Sequence, residues 1–553
     1  MEIMRDTTIG TGFRPLALLA FVMLLIVESS AVAQSSVRRQ AGADPISPDS
    51  LPAYVRAAPA ADSVIARIWE EGMQRSQVAV LAQTLTDSLG PRLTGSPEIE
   101  SASRWAQSMY QRWGIPTRQH RYGTWPGWRR RHTHVDLVAP RVHTLEAITL
   151  AWSPGTNGRA VTGDVVTLPD SGTRDTYLRW LRGIRGKFIL ASAPQASCRS
   201  AEQWAEYGTP ESQTRLRAQQ DSINRVWRAR IAGADSLQER LSAAGAAGVI
   251  TNGFSGHPGI DKVFGSPRNR VLGINITCED YGMLARLAER RQSPRLRVDA
   301  ATERLGERPV FNTIGEIRGR EKPDEYVILS AHFDTWSASG GATDNTTGTV
   351  AMMEAMRILS ATFPRPRRTI LVGHWSGEEQ GLNGSRAFVE DHPAIVQGLH
   401  ALFNQDNGTG RIVSMSPGAL PGASAVLQRY LGEIPREITQ YIRFRGPGSP
   451  STGGSDNASF ACTGAPAFSL GSLSWDYFRT TWHTNRDTYD KIVLDDLRNN
   501  AILVASLAYL ASEDPATMPR DRLDPLPVNP QTGQPSSWPE CRRALRNAEG
   551  YTR

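Results

Sequence analysis

The chain has 553 residues, a net charge of +7 and an apolar fraction of 40% that includes 14 Trp. That length exceeds one ordinary domain and predicts two or three. The charge is carried almost wholly by dispersed Arg, with Lys only at positions 187, 262, 322 and 491; the densest run, Arg129-Arg130-Arg131, reads as a solvated face and gives no sign of a nucleic-acid partner.

Arg5 and Arg14 precede the apolar run Pro15–Val27, and Ala31-Val-Ala33 supplies a small-x-small cleavage signature before Gln34. The run is too short to span a bilayer comfortably. Residues 1–33 therefore read as a cleaved signal peptide, and the mature chain as secreted or periplasmic, with no membrane anchor. A Ser-, Ala- and Pro-rich linker follows over 34–55.

Residues 56–155 open the main domain. A helical stretch over about 61–83 leads to the turn Leu85-Thr-Asp-Ser-Leu-Gly-Pro-Arg-Leu-Thr-Gly-Ser96, then to an amphipathic helix over 98–113. Residues 156–300 change character. Short β-type runs such as Gly163-Asp-Val-Val-Thr-Leu and Gly186-Lys-Phe-Ile-Leu-Ala alternate with Gly and Pro turns. This block interrupts the chain and reads as an inserted, β-rich domain whose edge should border the site and limit substrate length.

Residues 301–514 alternate strand and helix: strand 327–330, helix 346–360, strand 369–375, helix 385–391 and a closing helix 494–510. Such alternation predicts an α/β fold with a mostly parallel sheet flanked by helices. A Pro-rich tail, 515–553, ends the chain. Export permits disulfides, and Cys198, Cys278, Cys462 and Cys541 allow three connectivities without choosing one. The sequons at Asn345 and Asn407 adjoin candidate metal ligands and carry no weight.

Acidic and histidine residues follow the apolar runs in positions that suit strand ends, where open α/β sheets place their ligands. His332 and Asp334 close Tyr326-Val-Ile-Leu-Ser-Ala, and Asp344 follows Gly340-Gly341. Glu378 and Glu379 come after Thr369-Ile-Leu-Val-Gly-His-Trp, Asp406 after Ala401-Leu-Phe-Asn-Gln, and His483 lies in Thr480-Thr-Trp-His-Thr-Asn. Singly, each has an ordinary reading: Asp344 as a helix N-cap, His332 as a satisfied polar residue, the Glu pair as a solvated turn. Together, two histidines and several carboxylates are what a pair of divalent metals needs.

The motifs His332-Phe-Asp-Thr-Trp, Ala342-Thr-Asp-Asn, Arg368-Thr-Ile-Leu-Val-Gly-His-Trp-Ser-Gly-Glu-Glu-Gln-Gly-Leu-Asn-Gly-Ser-Arg-Ala-Phe and Tyr477-Phe-Arg-Thr-Thr-Trp-His-Thr-Asn-Arg-Asp-Thr resemble the M28 family of zinc exopeptidases. The resemblance covers about 84–510. It is nearest to the carboxypeptidase Q and glutamate carboxypeptidase branches, while the inserted block is more loosely similar to a protease-associated domain. It implies two Zn2+ ions: His332 and Asp406 on one, Glu379 and His483 on the other, Asp344 bridging. Glu378 would be the base that takes a proton from water and passes it to the leaving amine, with Asp334 orienting His332. Asp456 would support the site, although Asn457 stands where the family usually has His.

The implied activity is hydrolysis of short peptides by an aminopeptidase or dipeptidase, with a homodimer as a further family expectation. The alternatives are a carboxypeptidase acting on C-terminal residues, a glutaminyl cyclase needing only one metal, and a decayed binding protein, which should lack ligands. Tyr477 and Arg479 stand in the loop that delivers His483 and are candidates for substrate contact. Arg479 suits a bidentate grip on a peptide carboxylate, but pairing with Asp476, Asp487 or solvent is the commoner fate of such an arginine.

Overall fold

A computed structural model describes residues 62–551 apart from 170–173, 232–236 and 530. The expected signal peptide and linker lie outside the described residues.

The heart of the molecule is a set of parallel strands. Arg368–Trp375 pairs in parallel with Lys322–His332, which pairs in parallel with Leu399–Asn404, and that strand with Ala467–Ser472. Every residue of Arg368–Trp375 and Leu399–Asn404 is buried, as strands covered on both faces require. Side chains alternate between two cores. Val327, Leu329, Ile370 and Val372 face a large cluster with helices Ser63–Gln74, Thr347–Thr362 and Leu494–Glu513; Ile328, Leu371 and Leu402 face a smaller one with Phe388 and Phe460.

On the other flank the sheet becomes antiparallel. Arg295–Ile317 pairs with Arg368–Trp375 and, along its whole 23-residue length, with the equally long Thr117–Ala139. Sequence periodicity misses the latter strand, whose Trp, Arg and His residues are stabilised by a partner distant in the chain. The ribbon carries the sheet into the inserted block, where Val161–Thr167, Phe188–Leu190, Gly248–Thr251 and Gly273–Ile276 form a second parallel set. The whole sheet has 14 strands and is mixed.

The β-rich expectation for 156–300 needs correction. The block's strands are short, and it carries five helices, Arg174–Arg182, Ala201–Tyr207, Pro210–Ile231, Leu237–Ala243 and Cys278–Glu289. Pro210–Ile231 has 22 residues, none of them buried, so it lacks the apolar stripe by which helices are read. Among the described residues no helix is long and apolar enough to cross a membrane.

Both cysteine pairs are bonded, Cys198–Cys278 and Cys462–Cys541, at separations of 80 and 79 residues. Closing loops of that size stabilises by about 4.5 kcal/mol each on the chain-entropy account. The second bond fastens the tail, which wraps the main domain. Arg546 pairs with Glu390 and Asp391, Trp538 donates to the Cys462 carbonyl, and Tyr551 is buried against Trp125.

Arg368 shows how the closing helix is secured. Its fully buried guanidinium donates to Glu325 at 2.7 Å and to the carbonyls of Ala511 at 3.3 Å, Ser512 at 3.4 Å and Asp514. These are carbonyls of the helix's last turn that have no intrahelical partner. Arg368→Met leaves them buried without a donor, and urea unfolding should register a loss of about 3 kcal/mol.

Candidate metal centre

The parallel register brings the strand ends level. Trp375 pairs beside His332, and Asn404 beside Ser330, so the residues that follow leave the sheet on one edge. His332 ends its strand with 1% exposure, Glu378 and Glu379 form the turn after Trp375, and Asp406 follows Asn404. Asp344 precedes helix Thr347–Thr362, but that helix receives no side-chain cap, so Asp344 is not an N-cap. His483 sits at φ +58°, a strained conformation for a residue with a Cβ. Its carbonyl accepts from Val263 of the inserted block at 2.9 Å, its ring stacks on Trp482 at 3.9 Å, and Phe264 meets it edge-on at 5.2 Å.

Five side chains converge. His332 Nε2 lies 3.0 Å from Asp406 Oδ1 and 3.2 Å from Asp344 Oδ1. His483 Nε2 lies 2.9 Å from Glu379 Oε2 and 3.2 Å from Asp344 Oδ2. The result is two triads of donor atoms, each within 4.8 Å, that share the two oxygens of Asp344. Nδ1 of His332 is 2.9 Å from the Asp334 carbonyl, which can only accept, so Nδ1 carries the proton. Nε2 is left facing carboxylate oxygens, an arrangement that suits a cation held between them or a proton on Nε2. Imidazole nitrogens mixed with carboxylate oxygens suit a divalent transition metal such as zinc.

Charge balance points the same way. Asp334, Asp344, Glu378, Glu379, Asp406, Asp456 and Asp487 crowd this edge, and Arg92 is the arginine fully buried among them. Burial lifts the carboxyls of Glu379, Asp456 and Asp487 to about 7 and that of Glu378 well above the usual range. Burial opposes charge on both imidazoles, yet Asp406 and Glu378 raise His332 well above its ordinary value. Glu379 and Asp344 likewise bring His483 to about 9.

The other sequence candidates fall into place around the triads. Glu378 belongs to neither and lines the same cleft, of about 660 Å³, together with Tyr477. Asp456 is fully buried, senses His332 and Asp406, and is not in either triad. Asp334 does not hold His332 through its carboxylate, which stays 3.8 Å from Nδ1. Its carboxylate instead accepts from the Glu378 and Glu379 amides at 3.1 and 3.2 Å and from Thr94 at 3.0 Å, seating the glutamate turn. Arg479 is not among the cleft-lining residues; it pairs with Asp476 at 2.9 Å and with Glu202 of the inserted block.

Two residues without a role in the sequence reading support the centre from behind. Arg92 donates to the carbonyls of Phe333, Leu85 and Gly340 and to Thr346, tying four segments together. Asp487 accepts from the amides of Thr343 at 2.8 Å and Asp344 at 3.0 Å, which sets the shared ligand. Its place in the His483 motif, four residues on, was the available signal. Asp487→Asn turns an amide donor toward those N–H groups. Chelator competition should show metal affinity about 10- to 100-fold weaker, with the fold retained.

Residues 312–508 match the model of peptidase family M28. The chain is 25% identical to carboxypeptidase Q of Mus musculus over 79% of its own length and 86% of that protein's. Among solved structures, a peptidase M28 precursor from Shewanella amazonensis SB2B shares the fold at a TM-score of 0.60 and 22% identity, covering 84% of this chain and 98% of the other. BSAP, a zinc aminopeptidase from Bacillus subtilis, does so at 0.50 and 17%, covering 80% and 96%. The sequence match spans the strands and loops that carry all five converging side chains, and over that stretch the chain is similar to peptidase family M28.

Proposed function

We propose that the protein is a secreted or periplasmic exopeptidase that uses two zinc ions to hydrolyse short peptides, dipeptides or N-terminal residues first among them. The observation that carries the reading is Asp344, whose two oxygens each face a different histidine-containing triad. His332 and Asp406 would hold one ion, Glu379 and His483 the other. A glutaminyl cyclase needs one metal and has no use for the second triad. A decayed binding protein would not be expected to keep all five donors. The carboxypeptidase alternative draws support from the mouse relative's name.

Zinc bound here supplies Lewis acidity to a scissile carbonyl and to water. The chain's own residues do the rest. Glu378, close to the triads but outside them, takes a proton from the attacking water and delivers it to the leaving amine nitrogen. Asp334 fixes the turn that carries Glu378. The aromatic wall of Tyr477, Phe478 and Trp482 receives substrate side chains and excludes water.

A zinc-supplemented panel of dipeptides, with N-blocked and C-amidated versions, tests the reading; absence of turnover on every member overturns it. Glu378→Gln should lower kcat by about 1,000-fold or more while metal content stays near two per chain. Glu379→Gln should lose bound zinc. Elemental analysis with the opposite pattern would exchange the two roles.

A further inference from the structure

The tail enters the active-site cleft. Cys541 is bonded to Cys462, and the next residue, Arg542, lines the cleft beside Gln380, Gly381 and Leu382, with Tyr551 also on the wall. Arg542 is exposed and makes no ion pair or hydrogen bond with any described residue. Beside it stands Arg386 of helix Asn383–Asp391, half-buried, with Nη1 3.9 Å from where a Cβ on cleft-lining Gly381 would sit. Arg386 also has no hydrogen-bonded acidic partner among the described residues. Glu378, Asp456 and Glu390 act on it only through space.

This pairing is unusual for the molecule. Arg92, Arg130, Arg357 and Arg368, which are more deeply buried, are each satisfied by carbonyls or carboxylates. Burial and then the Arg542 charge work against the charged form of Arg386. The two guanidinium groups, one half-buried and one exposed, line one small recess that adjoins the cleft through Leu382 and Arg542, and such a pair of donors suits a carboxylate. Its position specifies which carboxylate. The amides of Gly381 and Leu382 bond the Glu378 carbonyl at 2.7 and 2.9 Å, so the arginine wall begins one turn from the base. Arg542 lines the same cleft as Glu378, Glu379 and His483, so the free carboxylate of a short peptide bound there can meet it.

We infer that Arg386 and Arg542 bind the free α-carboxylate of the residue that leaves, and so direct the enzyme toward dipeptides and C-terminal residues. The inference rests on the exopeptidase reading, and its test separates the two. Zinc-loaded wild type, Arg386→Gln and Arg542→Gln are assayed on leucyl-phenylalanine and on its C-terminal amide. Each substitution should raise KM for the free acid about 10- to 100-fold and change turnover of the amide by less than about twofold. That unchanged amide turnover also reports an intact fold. Equal losses on both substrates, or no loss on the acid, overturn the arginine site.

Calorimetric titration of phenylalanine and phenylalaninamide into the same three proteins supplies a readout independent of turnover. If wild type cleaves no member of the dipeptide panel, the exopeptidase reading fails, and this titration decides the site alone. Weakened acid binding in both variants supports it, and unchanged acid binding refutes it.

Discussion

Crowded negative charge is the constraint around which this structure is arranged. Seven carboxylates stand at one sheet edge, most of them removed from water, where their mutual repulsion is large. No packing of apolar groups could offset that. The fold instead gives five of them an amide or an imidazole. Amides satisfy Asp334 and Asp487, imidazoles face Asp344, Asp406 and Glu379, and Arg92 lies beneath. The charge that remains unmatched is what makes the edge a candidate metal site.

Holding that charge in register requires a stiff frame. Parallel strands buried on both faces cannot slip by one residue without sending Val327 or Ile370 into the wrong core. The His483 loop has no strand to hold it, and its ligand adopts a left-handed backbone. It is supported instead by the inserted block: Val263 bonds the His483 carbonyl, Lys262 lies over Trp482 at 4.1 Å, and the Asp261 carbonyl accepts from Asn485 at 3.0 Å. The inserted block thus holds part of the metal centre in place.

Much of this was legible in the sequence, for a physical reason. Buried parallel strands must be continuous apolar runs, and ligands must follow them, so the runs ending at His332 and Trp375 announce both sheet and site. What stayed hidden depends on partners far away in the chain. Thr117–Ala139 is a strand only because Arg295–Ile317 pairs with it. The polar helix Pro210–Ile231 packs only Trp227 and Ile231, partly buried, against an apolar cluster, and periodicity has little purchase on it. Asp334 offers its neighbour a main-chain carbonyl rather than its carboxylate, a distinction that only coordinates reveal. Arg386 and Arg542 become neighbours through a disulfide whose pairing four cysteines leave open.

The long antiparallel ribbon has a mechanical consequence. Thr117–Ala139 and Arg295–Ile317 run unbroken from the catalytic sheet into the inserted block, with register shifts at four places, between Arg121 and Gly123, Pro126 and Trp128, Arg130 and His132, and Leu137 and Ala139. A two-stranded beam of this kind bends most easily where its ladder is already interrupted. Flexing of the inserted block is therefore concentrated at those joints, and its far end is fastened to the His483 loop. Bending the beam would pull on the His483 loop, which would couple the shape of the cleft to the geometry of the candidate metal centre.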